Sequence, residues 1–173
     1  MAYTYSKIAT YTVGSSAVAS IDFLAIPQNY TDLVLKVSAR SSRGTGQDQI
    51  DMRFNSSSSG YSYRQLIGDG TGVVSASATG SFIYSGVAPA STGTANTFGN
   101  FEIYIPNYAN GNYKSVSADY VNEGNTTTVY YQGFTAGLWS SSNPINSISF
   151  YSDNAANFVQ YSTFTLYGIK AEL

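Results

Sequence analysis

Carboxylate side chains are the first residues to consider for chemistry, because the chain contains no histidine and no cysteine. Without an imidazole or a thiolate, hydrolysis most naturally needs a pair of carboxylates, as in glycosidases. Asp48 and Asp51 are close in sequence, but positions three apart in a regular strand lie on opposite faces and converge only across a bulge. The candidates are Asp22, Asp32, Asp48, Asp51, Asp69, Glu102, Asp119, Glu123, Asp153 and Glu172.

None of these acids forms a convincing catalytic pair in the sequence. A solvated turn acid and a cross-strand partner for Arg53 explain Asp48 and Asp51 better. Asp119 lies on the face opposite Ala118 and Tyr120, as expected for an outward residue. We therefore expect no enzyme and no catalytic residues.

Metal and cofactor sites are not predicted either. The segment GDGTG, Gly68 to Gly72, resembles part of a calcium loop but lacks the other oxygen ligands at EF-hand spacing. A hairpin turn on Asp69 and Gly70 accounts for it. The lack of cysteine and histidine also removes zinc sites and disulfides.

Arginine and tyrosine are the remaining candidates for binding. Four arginines, Arg40, Arg43, Arg53 and Arg64, lie within twenty-five residues of one another and are half of the eight basic residues. They are consistent with a carboxylate-bearing partner surface, within a trimer or on another protein.

The sixteen tyrosines have two interpretations. Tyrosine has high β-propensity and fills half-buried sheet surfaces. It is also enriched at protein interfaces and at sugar-binding surfaces. Tyr104 and Tyr151 fall at positions that the alternation places outward, and both interpretations stay open for them.

Composition favours assembly with other proteins. Hydrophobic residues make up 43% of the chain and charged residues 10%, against roughly 25% charged in an average soluble chain. A surface of hydroxyls and amides loses less desolvation energy in an interface than one of lysine and glutamate. With a net charge of −2 and no basic run, nucleic acid is not an expected partner. The sequence shows neither a signal-peptide core nor an apolar stretch of membrane-spanning length, so we expect no membrane and synthesis in a cytosol.

The elements that would position these residues are strands. Leu33, Leu35, Val37 and Ala39 alternate with polar or smaller residues, and Phe101, Ile103 and Ile105 do the same. Segments ASIDFLAIP and IDMRFN predict further strands with Ile21, Phe23 and Ala25 inward in the first, and Ile50, Met52 and Phe54 inward in the second. We expect residues 33–39 and 50–54 to pair as an antiparallel hairpin with a long loop.

Eight to ten such strands without a helical period predict an all-β fold, an antiparallel β-sandwich of jelly-roll type in one domain, residues 1–173. Two polar stretches, Asn55 to Tyr63 and Ser85 to Asn100, are predicted as loops. They serve as plain connections, as recognition loops, or as contacts to a neighbouring subunit.

Several motifs resemble a domain common in structural proteins of tailed bacteriophages, cyanophages in particular. They are IPQNYTDLVLKVSARSS, IDMRFNSSSSGYSYRQLIGDG, FEIYIPNY and the closing STFTLYGIKA, and the similarity runs from Ile21 to Ala171. The resemblance implies a virion surface component: a capsid decoration (cement) protein, a head fibre, or a tail fibre or knob. No catalytic motif comes with it.

We therefore expect a decoration protein on the virion capsid surface, made in the host cytoplasm, that binds the major capsid protein as a homotrimer at local three-fold positions. The alternative is a tail or head fibre or knob module that recognises a host-surface glycan through its loops and tyrosines. A small glycan-degrading enzyme is the third possibility. The sequence assigns no binding residue to any of them.

Overall fold

The computed structural model describes residues 3–126 and 130–171, which form twelve β-strands and no helix. Within this part of the chain there is accordingly no helix that could cross a membrane. The strands are β1 Tyr3–Thr12, β2 Ser20–Phe23, β3 Asp32–Ala39, β4 Gln47–Phe54, β5 Tyr61–Gly68, β6 Val73–Gly80, β7 Ile83–Pro89, β8 Gly99–Ile105, β9 Lys114–Asn122, β10 Tyr131–Trp139, β11 Ile148–Ser152 and β12 Thr163–Ala171.

The strands form two antiparallel sheets, which confirms the predicted jelly-roll-like β-sandwich. The large sheet has eight strands in the order β1-β12-β3-β8-β9-β10-β5-β6, and the small sheet has four in the order β2-β11-β4-β7. The chain crosses between the sheets at eight of the eleven connections between these strands; β5 to β6, β8 to β9 and β9 to β10 stay within the large sheet. This repeated crossing is the jelly-roll connection.

Two hairpins are added to the eight jelly-roll strands. β5 and β6 lie between β4 and β7 in the chain, and β9 and β10 lie between β8 and β11. Both hairpins join the large sheet beyond β8, so this sheet is twice as wide as the small one. We call β5, β6, β9 and β10 the extension, and the other eight strands the jelly-roll half.

The core lies between the two sheets and is rich in aromatic rings. The ring centroids of Phe150 and Phe164 are 5.3 Å apart and those of Phe158 and Phe164 are 4.9 Å apart. The Trp139 ring lies 5.7 Å from Phe54, where the extension meets the small sheet. The inward residues predicted for β3 and β8 are all buried, because alternate side chains of a strand point to the same face.

The predicted hairpin between residues 33–39 and 50–54 is wrong. β3 pairs with β12 and β8 in the large sheet, whereas β4 pairs with β11 and β7 in the small sheet. Each strand buries its apolar face against the opposite sheet, so the alternation predicted the faces correctly. Alternation does not specify which neighbour completes the backbone hydrogen bonds.

Two local predictions also fail. Residues 85–89 were expected in a loop but belong to β7, where every residue is buried. Ser85 tolerates burial because its hydroxyl donates a 2.7 Å hydrogen bond to the Ile50 carbonyl. Ala25 was expected inward but is exposed with φ +51°, because β2 ends at Phe23. The start of β5 at Tyr61 and of β8 at Gly99 likewise shortens both predicted loops.

Candidate interaction surfaces

Asp48 and Asp51 do not form a catalytic pair. β4 pairs with β11 without interruption from Ile50 to Phe54, and the bulge opposite β7 is produced by Ser85 on β7. The two carboxylates therefore keep the opposite faces that the alternation predicts. Asp48 is fully buried, with Oδ1 3.5 Å from Nη1 of Arg43, so the expectation of a solvated turn acid is wrong.

Asp51 is buried on the face of the small sheet that points away from the core. It lies between Tyr151 on β11 and Tyr84 on β7, and Gln49 donates a 2.7 Å hydrogen bond to its Oδ1. Burial raises the pKa of Asp51 to about 7, and the nearby Asp153 carboxylate adds to this. Because the side chain is fully buried, we assign it an effect on stability.

Arg53 is not the ion-pair partner expected for Asp51. Its Nε donates a 2.8 Å hydrogen bond to the Ser81 carbonyl, and its guanidinium lies 4.5 Å from the ring centroid of Tyr151. The Coulombic attraction of Arg53 lowers the pKa of Asp51, but this effect is smaller than that of burial. The guanidinium thus covers Tyr151, which lies on the outward face as predicted.

The four arginines do not share one surface. Arg40 donates to the carbonyls of Ala90, Gly93, Thr94 and Thr97 and so holds the loop after β7. Arg43 and Arg53 contact Asp48 and Ser81 as described. Among the described residues, Arg64 alone of the four has no polar partner in the chain, and it lies exposed on β5. An external carboxylate therefore fits Arg64 only.

The turn predicted at Asp69 and Gly70 is confirmed and connects β5 to β6. Asp69 Oδ1 accepts a 2.7 Å hydrogen bond from the Thr71 hydroxyl and 2.8 Å hydrogen bonds from the backbone nitrogens of Thr71 and Gly72. These bonds, the hydroxyl bond most strongly, lower the pKa of Asp69. Gly70 has φ +83°, a conformation that favours glycine. In residues 3–126 and 130–171, no group of three or more acidic side chains is placed to hold a metal ion.

A cleft of about 480 Å³ lies beside this turn, at the tip of the extension. Its walls include Asn122, Tyr130, Tyr131 and Gln132. The Asn122 side chain is 1% exposed, and within the described part of the chain neither its Oδ1 nor its Nδ2 has a hydrogen-bond partner. A buried amide without partners is unfavourable, so a water or a polar ligand that reached Asn122 would stabilise it.

The eight strands of the large sheet share an outer face, which we define as the face turned away from the small sheet. One cross-strand row on it includes a residue of every strand. At its middle, Lys36 forms an ion pair with Glu102, and Asp119 is the next residue along. Partial burial and the charge of Glu102 raise the pKa of Asp119. In order, the row is Thr10, Thr165, Lys36, Glu102, Asp119, Phe134, Leu66 and Ser75.

The outer face differs between the two halves of the molecule. In the jelly-roll half, the outward Val34 is only 2% exposed, because it lies between Tyr104 and Tyr167. The hydroxyl of Tyr104 donates a 2.9 Å hydrogen bond to Asp32 Oδ2. These tyrosines therefore fill a half-buried sheet surface, as the first interpretation of their abundance expected.

In the extension, the outer face carries an apolar patch, which we define as Val121, Phe134, Leu66 and Val73. Their exposed fractions are 44%, 67%, 49% and 72%. Phe134 and Leu66 are direct cross-strand neighbours, and the other two lie diagonally next to them on β9 and β6. Four neighbouring strands thus present apolar side chains to the outside in one place.

Neither the apolar patch nor the burial of Asn122 was predicted from the sequence. Phe134 and Leu66 are 68 positions apart in the sequence and meet only because β10 pairs with β5. The strand alternation was a usable signal for Phe134, since it stands between the small inward residues Gly133 and Thr135. No sequence signal indicated that Asn122 would be buried without partners.

The comparisons with known proteins leave the family of this chain open. No protein-family model matches it, and no curated protein matches it either. Among solved structures, the galectin LEC-6 of Caenorhabditis elegans is similar over 94% of this chain and 96% of its own, with 9% sequence identity and a TM-score of 0.32. A likeness this weak says nothing about what the chain binds.

Proposed function

We propose that this chain is a structural protein of a tailed-bacteriophage virion, a decoration protein that binds the major capsid protein on the outside of the head. The phage origin rests on the sequence motifs, such as the segment from Ile26 to Leu33 and the segment from Leu166 to Lys170. The observation that supports a binding role is the apolar patch on the outer face of the extension. An exposed cluster of this kind is typical of a protein-interaction site.

The patch supplies affinity and its surroundings supply orientation. Burying a large apolar side chain contributes about 1.5–3 kcal/mol, so Phe134 and Leu66 form the centre of the contact. Asp119 beside Phe134 and Arg64 one row away favour a partner with the opposite charges at those positions. Repeated over many copies, and with the chain acting as a homotrimer at local three-fold positions, such contacts resist outward pressure on the shell.

The test uses phage particles that lack this protein and have it added back. Bare particles should assemble normally but lose integrity at lower temperature or after osmotic shock, and the added wild-type chain should restore resistance. Phe134→Ser should bind these particles at least tenfold more weakly, because it removes the largest exposed side chain of the patch. Leu24→Ser is the matched control, since Leu24 is 72% exposed but lies outside the patch.

Two results would count against the proposal. One is that particles without the protein resist heat and osmotic shock as well as complete particles do. The other is that Phe134→Ser and Leu24→Ser bind equally well.

A second function, recognition of a host-surface glycan by a fibre or knob module, is supported by the cleft. The unpartnered amide of Asn122 and the rings of Tyr130 and Tyr131 are groups that bind sugar hydroxyls and sugar faces. Binding to a glycan array that Asn122→Leu abolishes, together with adsorption to host cells, would favour this function. A decoration protein should show neither.

A further inference from the structure

The four edge strands of the sandwich differ in how well they are protected. An unpaired edge exposes backbone donors and acceptors to any other strand, and proteins block such edges with short strands, bulges, charges or proline. In the small sheet, β2 has only four residues, and β7 is buried along its whole length and ends at Pro89. These two edges are therefore closed to a partner.

The two edges of the large sheet are β1 and β6. β1 is interrupted by a bulge between Lys7 and Ala9, and Lys7 adds a positive charge at the same point. A bulge breaks the regular spacing of backbone groups, and a lysine opposes pairing with a like-charged copy. β1 thus carries two of the known protective features.

β6 carries none of them. Its sequence, VVSASATG, contains no charged residue and no proline. It pairs with β5 in unbroken register from Val73 opposite Gly68 to Gly80 opposite Tyr61. Seven of its eight residues are exposed and the remaining one is half-buried, so neither face is covered. Eight regular residues of backbone are therefore open along one side.

We propose that β6 pairs antiparallel with β6 of a second copy of this chain, across a two-fold axis perpendicular to the sheet. The pairing joins two large sheets into one and closes both open edges with about six backbone hydrogen bonds. It is an isologous contact, in which the residues near the axis face their own counterparts. Because β6 is uncharged, no like charges meet there.

The side chains restrict the register of this contact. Residues paired across an antiparallel ladder point to the same face, and Val73, Ser75, Ser77 and Thr79 occupy the outer face, since Ser75 and Ser77 pair with the outward Leu66 and Arg64. The two-fold axis must therefore lie level with one residue, which then faces its own counterpart. The two central positions of β6, where the overlap of the two strands is longest, are Ala76 and Ser77. If the axis lies at Ala76, Ser75 faces Ser77 of the other copy. If it lies at Ser77, the two Ser77 hydroxyls face each other.

The nearest cation does not prevent this arrangement. Arg64 is opposite Ser77 on β5, one strand away from the edge. With the axis on Ser77, the two copies of Arg64 are three strand spacings apart, about 14 Å, which exceeds the Debye length of about 8 Å at physiological salt. Repulsion between them is therefore largely screened.

This inference goes beyond the proposed function, because it depends on β6 alone and holds whichever surface the outer face binds. A two-fold contact makes the purified chain a dimer in solution. The chain forms a hexamer if the proposed three-fold contact also forms through another surface. Odd numbers of chains are incompatible with it.

The experiment measures the mass of the purified full chain by light scattering over a range of concentrations. The wild type should approach two or six chains per particle. Ser77→Lys places two lysines at or beside the axis and should weaken the two-fold contact about tenfold or more. Ser115→Lys is the matched control, because it makes the same change at an exposed position on β9, away from every sheet edge, and it should leave the mass unchanged.

Hydrogen exchange of the wild type provides a measurement that needs no variant. The β6 amides that point away from β5 should become protected as concentration rises, while those of β1 should not. The inference is overturned if the wild type is a monomer, a trimer or an open-ended polymer. It is also overturned if Ser77→Lys has the same mass as the wild type, or if the β6 amides exchange at the same rate at all concentrations. Shell binding of Phe134→Ser, whose substitution lies on β10 away from the β6 edge, reports separately on the proposed function.

Discussion

The two halves of this protein use the same kind of strand in different ways. In the jelly-roll half, each strand buries one face between two sheets, and outward groups such as Val34 and Asp32 are covered or hydrogen-bonded by tyrosines. The extension adds four strands to the large sheet and none to the small one. There the outer face exposes Phe134 and Leu66. Buried polar atoms without a partner among the described residues occur in both halves, for example Asp51 Oδ2 and Thr135 Oγ1.

This difference indicates which half carries stability and which half is available for binding. Covered apolar rings and satisfied polar groups stabilise a fold. Exposed apolar side chains and an open edge contribute little to the isolated chain but much to a complex. We therefore expect core substitutions in the jelly-roll half to change unfolding and substitutions on the outer face of the extension to change association.

The largest expected difference in stability is between alanine substitutions of two phenylalanines, one in each half. Phe150→Ala removes a ring that is 1% exposed and packs 5.3 Å from Phe164, so it should lower the free energy of unfolding by about 3–5 kcal/mol. Phe134→Ala makes the same change at a 67% exposed position and should alter stability by less than about 0.5 kcal/mol. Urea unfolding followed by Trp139 fluorescence measures both. Equal losses would show that the extension is as well packed as the jelly-roll half.

The next effect depends on pH. The pKa of Asp51 is raised from 3.8 to about 7, so between pH 4 and 7 the folded state holds a proton that the unfolded state has released. The free energy of unfolding then falls as the pH rises, by up to roughly 4 kcal/mol, and the full penalty remains above pH 7. Asp51→Asn should remove this slope and stabilise the protein at pH 8 but hardly at pH 4.

Asp119→Asn is the control for this prediction. Asp119 belongs to the extension and is exposed. Its pKa is also raised, but water screens an exposed carboxylate, so its replacement should remove only a small part of the slope. Urea unfolding at several pH values between 4 and 8 measures all three proteins. If Asp51→Asn and the wild type lose stability in parallel across this range, another group is responsible for the slope.

The smallest effect compares two buried hydroxyls. Ser85→Ala in the jelly-roll half removes the 2.7 Å hydrogen bond to the Ile50 carbonyl and should cost about 1–2 kcal/mol. Thr135→Val in the extension replaces a hydroxyl that has no partner among the described residues and should be neutral or stabilise by up to about 1 kcal/mol. Thermal unfolding of the two variants gives the comparison. A loss at Thr135 would indicate that its hydroxyl is satisfied by water.

Local patterns predicted the fold class well and the neighbours of each strand poorly. Alternation gave the inward faces of β3 and β8, since face depends only on the two-residue period. It could not show that β3 and β4 belong to different sheets, because pairing is decided by the whole sandwich. The burial of Asp48 and Ser85 was missed because alternation does not show their partners. Arg43 precedes β4 and contacts Asp48 across a turn, and the Ile50 carbonyl lies 35 positions from Ser85, across the ladder.

The topology has a consequence for the order of folding. β5 and β6 are joined by a four-residue turn, and hairpins of this kind form within microseconds. β1 and β12 contact each other through residues such as Thr10 and Thr165, which are 155 positions apart, so their ladder requires closure of almost the whole chain and forms late. The open edge of β6 can thus exist before the sandwich is complete. During that interval, chaperones or a low protein concentration would have their largest effect on whether the open β6 edge pairs with another chain.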